Sequence, residues 1–356
     1  MGLFNDSLGA SESLFRNELA LDYDFLPKLL PYRENEQFKM AACIKPLLQG
    51  RTGKNVFIYG APGIGKTAAI RFVLRDLEEE TDEVEVIYVN CWQKNTTYKI
   101  VIEICEQLGY KFTQNKKTED LFRIAKDIIN KKCAVFAFDE VDKVEDFDFL
   151  YTIIEEIFKK TIFLITNFKD WLNEVDMRVK SRLIPELMEF RQYSAQETFG
   201  IMKKRSDFAF VPGVWETDAF ALAAQKAADI RDIRGGLHIL RESGLVAESH
   251  SSKKITVDYV KEALSKTEQF FARKPDNLEE DMKIILDIIA ENEGKKIGDI
   301  YKVYQAKGGS AIYKTFQRRI RKLADNRFIE TKSISGGTEG RTTIINICKL
   351  KKLTDF

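Results

Sequence analysis

One stretch constrains this chain more than any other. Gly60, Ala61, Pro62, Gly63, Ile64, Gly65, Lys66 and Thr67 fit the spacing GxxxxGK followed by Ser or Thr. An apolar run, Val56–Tyr59, precedes it, and a helical pattern starting at Ala68 follows. Strand, loop and helix in that order are the context in which such a string cradles phosphate. The glycines let the main chain wrap so that its N–H groups point at phosphate oxygens, and the helix aims its positive end at them. Lys66 is expected on the β- and γ-phosphates and the Thr67 hydroxyl on Mg²⁺.

Further apolar runs at 84–89, 134–138 and 162–165 are separated by helical periods. Continuous runs of this kind read as buried parallel strands joined by crossover helices. The run at 134–138 ends in Asp139 and Glu140. Beside a phosphate loop, that acid pair predicts Asp139 as a water-bridged Mg²⁺ holder and Glu140 as the group that polarises an attacking water. Asn167 ends the next run, where a polar side chain reaches a γ-phosphate or simply makes a turn. From about residue 194 to 266 strand patterns vanish and helical ones dominate, which predicts a small helical domain.

The 356 residues fit two to three domains. Net charge is only +1, which excludes a wholly basic protein, yet residues 276–356 carry 16 basic against 12 acidic side chains. Pro275 and its polar neighbours mark a linker before this basic piece. No apolar run reaches the ~18 residues of a membrane helix, no secretory leader is expected at the N-terminus, and five scattered cysteines make neither a zinc site nor a disulfide framework. A cytoplasmic protein with no membrane partner is expected.

Helical patterns at 278–292 and 297–306, then Ser310 as an N-cap for a helix from Ala311 to about Asn326, suggest a helix-turn-helix. Strand patterns on either side of residues 335–341 complete a winged helix. At about 100° per residue, Ile312, Phe316, Ile320 and Leu323 share the apolar face of the third helix. Lys314, Arg318 and Arg321 centre on the opposite face, flanked by Gln317 and Lys322; Arg319 lies nearer the apolar side. Six basic residues stand against one acid between residues 311 and 327, a pattern suited to duplex DNA phosphates. Arg318 and Gln317 are candidates for base edges, and Arg341, near the hairpin tip, for phosphate or the minor groove.

Together these motifs resemble the AAA+ ATPases and, within them, the origin-recognition (Orc/Cdc) replication initiators. Residues 26–34, ending in Arg33 and Glu34, look like that family's stretch near the adenine. Residues 89–98 are similar to the start of its DNA-touching helical insertion. Phe138, Asp139, Glu140, Val141 and Asp142 match its Walker B element, and Asn167 falls at sensor 1. Residues 176–183 resemble the segment carrying its trans-acting arginine, with Arg182 taken as the finger and Arg178 close by. Tyr193 and Arg205 keep the spacing of its nucleotide-contacting pair. Arg234 matches sensor 2, with Arg231 as fallback; the glycines at 235 and 236 predict that this helix starts late.

The resemblance implies an α/β AAA+ P-loop parallel sheet with a helical lid and a C-terminal winged-helix domain, divided as 1–192, 193–272 and 276–356. It implies slow hydrolysis of ATP to ADP with Mg²⁺ as a switch, binding to origin duplex DNA, recruitment of an MCM-type helicase, and self-association or pairing with a paralogue. A DNA-binding transcription regulator would carry the same motifs. A clamp-loader-like ATPase would not need the basic winged helix.

Overall fold

The structure is a computed structural model, described for residues 13–27, 29–271, 280–325, 328–336 and 340–347. It divides into two compact units, residues 1–263 and 264–356.

The first unit opens with α1 (Glu34–Leu48), β1 (Val56–Tyr59), α2 (Lys66–Glu80) and β2 (Val84–Asn90). Next come α3 (Thr97–Gln107), α4 (Thr118–Ile129), β3 (Cys133–Asp139), α5 (Asp148–Glu156), β4 (Lys160–Thr166), α6 (Met177–Leu183) and β5 (Glu186–Glu189). The five strands are parallel, in the order β2-β3-β4-β1-β5. Alternate residues serve opposite faces. Phe57, Phe136 and Phe138 pack under α3, α4 and α5, whereas Val56, Ile58, Val135 and Ala137 pack under α1 and α2. Both faces are covered, which is why these strands read as unbroken apolar runs. The strand order sets the carboxyl ends of β3, β4 and β1 side by side, where ligands bind in open α/β sheets. β5 has no counterpart in the sequence reading. Glu186, Leu187 and Glu189 are exposed on this edge strand, so no apolar run marks it.

Helices α7 (Ala195–Ala209), α8 (Thr217–Ile230), α9 (Ile233–Ser249) and α10 (Val257–Phe271) follow. The expectation that α9 starts late is overturned. Asp232 caps it, accepting the Arg234 N–H at 2.9 Å, and both glycines lie inside the helix. A Cβ on Gly236 would fall 2.7 Å from both Ala227 Cβ and Met202 Sδ, so close packing of α7, α8 and α9 outweighs glycine's low helix propensity. Chain N-terminal to α1 is pinned onto these helices. Glu248 accepts from Ser13 Oγ (2.6 Å) and the Leu14 N–H (2.7 Å), and Phe15 bridges Phe210.

The second unit contains α11 (Glu280–Glu291), α12 (Ile297–Ala306), α13 (Tyr313–Asp325), β6 (Ile329–Gly336) and β7 (Gly340–Ile347). The strands form an antiparallel hairpin, and Lys296 bridges to Ile344 as a short third rung. Ile285, Ile289, Ile300, Tyr304, Phe316, Ile320 and Leu323 close the core with Ile329 and Ile345. This is the winged helix expected from the sequence. One position is corrected: α13 begins at Tyr313 rather than Ala311, and Ile312, assigned to the apolar face, is 69% exposed. The turn before α13 is held by Gly309, where a Cβ would lie 2.3 Å from the Tyr304 ring. No described helix is long and apolar enough to cross a membrane, and no described cluster of His, Cys, Asp or Glu suits a metal ion.

Candidate nucleotide site and basic helix

A cavity of about 650 Å³ in the first unit lies over the carboxyl ends of β1, β3 and β4. The phosphate loop forms its polar floor. Gly63 (φ 71°) and Gly65 (φ 88°) are left-handed, and a Cβ would fall 2.0 Å from Asp232 Oδ1 at Gly63 and 2.9 Å from the Tyr193 hydroxyl at Gly65. Only glycine fits both the backbone and the space. Pro62, Gly63, Gly65, Lys66, Thr67 and Ala68 line the cavity. Gly60, Ala61 and Ile64 act behind it. The Gly60 and Ala61 carbonyls each accept from Lys66 Nζ at 2.8 Å, and the buried Ile64 gives its carbonyl to Arg33.

Lys66 Nζ also donates to Asn167 Oδ1 at 2.7 Å, and burial lowers its pKa to about 8. The Thr67 hydroxyl donates to Asp139 Oδ2 at 2.6 Å. The Tyr88 hydroxyl donates to that same oxygen at 2.9 Å, while the Glu140 N–H donates to Oδ1 at 2.9 Å. Burial, then the charge of Asp139, pushes the Tyr88 phenol well above its ordinary value, so it remains a donor. Glu140 adopts a left-handed φ of 53°, uncommon for a residue with a side chain. Burial and the neighbouring Asp139 raise its carboxyl pKa, the direction that suits an acid–base role near neutrality. The structure therefore gathers Lys66, Thr67, Asp139, Glu140 and Asn167, distant in sequence, around one floor.

The walls are built by arginines. Arg33 is fully buried and is the residue whose importance the sequence reading missed. Its guanidinium donates to the Ile64 carbonyl (2.9 Å), the Arg191 carbonyl (2.6 Å) and the Tyr193 hydroxyl (3.0 Å), pairs with Glu36 (3.0 Å) and lies 4.0 Å from the Tyr193 ring centroid. The one sequence signal was its place in the stretch assigned to the adenine; its contacts are those of a brace for the phosphate loop. Tyr193 and Arg205 both line the cavity. Arg205 donates to the Ala20 and Phe25 carbonyls, at 3.0 Å each, and so props the segment at 23–31 that closes the apolar end.

Arg234 also lines the cavity, gripped by Asp232 through Nε (3.2 Å) and Nη2 (3.0 Å). The fallback, Arg231, caps α8 outside the cavity lining, with φ 57°. Arg182, on α6, lies outside it too. It is half exposed, bonded to the Tyr151 hydroxyl at 2.9 Å and paired with Glu155 at 2.6 Å. Arg178, one turn earlier, is held by the N-cap Asp176.

In the second unit, Lys314, Gln317, Arg318, Arg321 and Lys322 are all exposed on α13, opposite buried Phe316, Ile320 and Leu323. Arg319 turns inward, paired with Asp281 and 3.4 Å from the Tyr304 hydroxyl. Arg341 lies in β7, in register with Ser335; its side chain and the hairpin tip at 337–339 lie outside the described residues. Lys296 and Lys302 join Tyr313 and Gln317 around a shallow groove of about 260 Å³. These two lysines belong to another stretch of sequence, and only the tertiary fold brings them beside α13.

Strand-end acids over a phosphate loop, a helical segment packed on that loop and an arginine entering from it define an AAA+ ATPase. Family models agree: an AAA domain matches residues 49–197 and a Cdc6 AAA+ ATPase-type lid domain residues 199–265. ORC1-type DNA replication protein 1 of Methanothermobacter thermautotrophicus is 30% identical, covering 100% of this chain and 99% of its own. The protein of the same description from Sulfurisphaera tokodaii is 31% identical, covering 94% and 90%. The solved structure of Aeropyrum pernix ORC1 in complex with DNA superposes with a TM-score of 0.66 at 26% identity, covering 94% and 93%. This chain belongs to the ORC1-type DNA replication proteins.

Proposed function

We propose that this chain is an ATP-dependent replication initiator that grips origin duplex DNA and uses slow hydrolysis as a switch. The observation that carries the reading is the convergence of Lys66, Thr67, Asp139, Glu140 and Asn167 on one cavity, in a chain whose second unit presents a basic helix. The relatives' description as DNA replication proteins and the DNA in the A. pernix complex support it.

A hydroxyl and a carboxylate 2.6 Å apart in a polar pocket fit a hard cation that keeps most of its waters, as Mg²⁺ does. Thr67 and Asp139 would hold it, and its chemistry is to neutralise charge on the β- and γ-phosphates. The chain's own groups do the rest. Main-chain N–H groups of the phosphate loop bind the phosphates, with Ala68 opening α2 beneath them. Glu140 orients and deprotonates the attacking water, while Asn167 and Arg234 read the γ-phosphate. Tyr193 and Arg205 shape the nucleoside end. Arg182 serves a neighbouring copy or paralogue, exchanging its pairing with Glu155 and Tyr151 for phosphate; Arg178 is the alternative, already oriented by Asp176. Lys314, Arg321, Lys322 and Arg341 take DNA phosphates, and Gln317 and Arg318 reach base edges. The domain division is 1–192, 193–272 and 276–356. An MCM-type helicase is the downstream partner, at the nucleoid in the cytoplasm.

The test is a footprint on total genomic DNA with ATP and with ADP, for wild type and a Lys314→Ala, Arg318→Ala, Arg321→Ala variant. Localised protection that depends on the nucleotide and disappears in the variant is expected. Unchanged protection in the variant rejects the assignment of α13.

A further inference from the structure

We propose that Tyr88 is a positioning residue for the cation site. Its hydroxyl holds the Asp139 carboxylate in the pose that takes Mg²⁺, so losing one oxygen atom weakens the Mg²⁺-dependent part of nucleotide binding. The inference rests on the Thr67–Asp139 reading of that site.

Three donors from three parts of the chain fix Asp139: the Thr67 hydroxyl of α2, the Tyr88 hydroxyl of β2 and the Glu140 N–H just past β3. Two of them meet on Oδ2. Thr67 would itself hold the cation, so its hydroxyl is shared between two tasks, and the Glu140 N–H bonds only Oδ1. Tyr88 is the one donor to Oδ2 with no other assigned work. Metal-holding carboxylates are commonly oriented by such outer partners, whose loss costs about 10–100-fold in metal affinity.

Tyr88 is itself firmly held. β2 is an edge strand, yet Gln107 of α3 bonds both main-chain groups of Tyr88, accepting from its N–H at 3.0 Å and donating to its carbonyl at 2.7 Å. In register Tyr88 faces Ala137 of β3, two residues before Asp139, so its ring runs toward the end of the sheet. The Arg71 guanidinium lies 5.1 Å from that ring's centroid, and Arg71 sits four residues after Thr67 on α2. The ring is thus packed between the two elements that carry Thr67 and Asp139.

The experiment measures equilibrium binding of a fluorescent ATP analogue to the full-length protein, in EDTA and across a Mg²⁺ titration. Wild type, Tyr88→Phe and Thr67→Ala are compared, with thermal melting of each nucleotide-free protein. For Tyr88→Phe, which keeps the ring, the expected result is a Mg²⁺ midpoint raised about 10-fold, with unchanged affinity in EDTA and an unchanged melting temperature. A wild-type midpoint overturns the proposal, as does an equal loss of affinity with and without Mg²⁺, which marks a packing role. If Thr67→Ala keeps the full response to Mg²⁺, the cation-site reading itself fails, and the proposal with it.

Discussion

The nucleotide cavity and the exposed face of α13 both handle phosphate, and they are built on opposite principles. In the cavity, polar groups are buried and oriented before any ligand arrives: Lys66 has three acceptors and Asp139 three donors. Satisfied polar groups in a low-dielectric site act strongly over short range. On α13 the cations stand in water, where each contributes little alone and acts through counterion release. The first design gives chemistry that depends on single atoms. The second gives grip that depends on charge number and on salt.

That contrast can be broken by substitution. The largest effect is expected for Glu140→Gln, which should keep ATP bound while turnover falls about 100-fold or more, the usual weight of a positioned acid–base group; phosphate release under single-turnover conditions measures it. Normal turnover would remove Glu140 from the chemistry. Next, the Lys314, Arg318 and Arg321 triple alanine variant should bind duplex about 10–100-fold more weakly and flatten the slope of log K against log salt by roughly 3, about one for each lost phosphate contact. Its ATP affinity should stay at the wild-type value, since the face is separate from the cavity. Fluorescence anisotropy across a salt series reads both.

A smaller effect is expected for Gly236→Ala. The added methyl meets Ala227 and Met202 at 2.7 Å, and overpacking costs about 1–3 kcal/mol, visible as a lower melting temperature. The smallest belongs to the capping box of α7, where Ser194 and Glu197 satisfy each other's main chain and Glu197 pairs with Arg191 at 2.5 Å. The Arg191 bond holds the Glu197 carboxyl down at about 2. Its contribution is present above its ordinary value of 4.5 and is lost as pH falls through about 2. Glu197→Gln should cost about 1 kcal/mol at neutral pH, and the difference from wild type should close in acid.

The phosphate loop, the acid pair and the basic face of α13 were legible because each is local: a spacing, a strand end, a helical period. Their mutual approach was not. Nothing in the sequence places Tyr88 on Asp139, and nothing in it gives Arg33 its five partners, because these contacts depend on strand order and on where distant carbonyls point. Local reasoning also failed where packing opposed propensity. Gly235 and Gly236 read as a delayed helix start, but the crossing of α7, α8 and α9 has no room for side chains. Ile312 read as core from its period, but the period begins only at Tyr313. β5 was invisible because an edge strand with a charged surface carries no apolar run.

The seam between Gly63 and α9 has a mechanical consequence. The Ile233 N–H bonds the Gly63 carbonyl at 3.1 Å, so the first residue of a 17-residue helix is tethered to the loop that cups the phosphates. At 1.5 Å per residue that rod is roughly 25 Å long. A tilt of a few degrees at its root, such as losing one phosphoryl group would impose, sweeps the far end through more than an ångström, turning a change at the nucleotide into displacement on the opposite side of the helical layer.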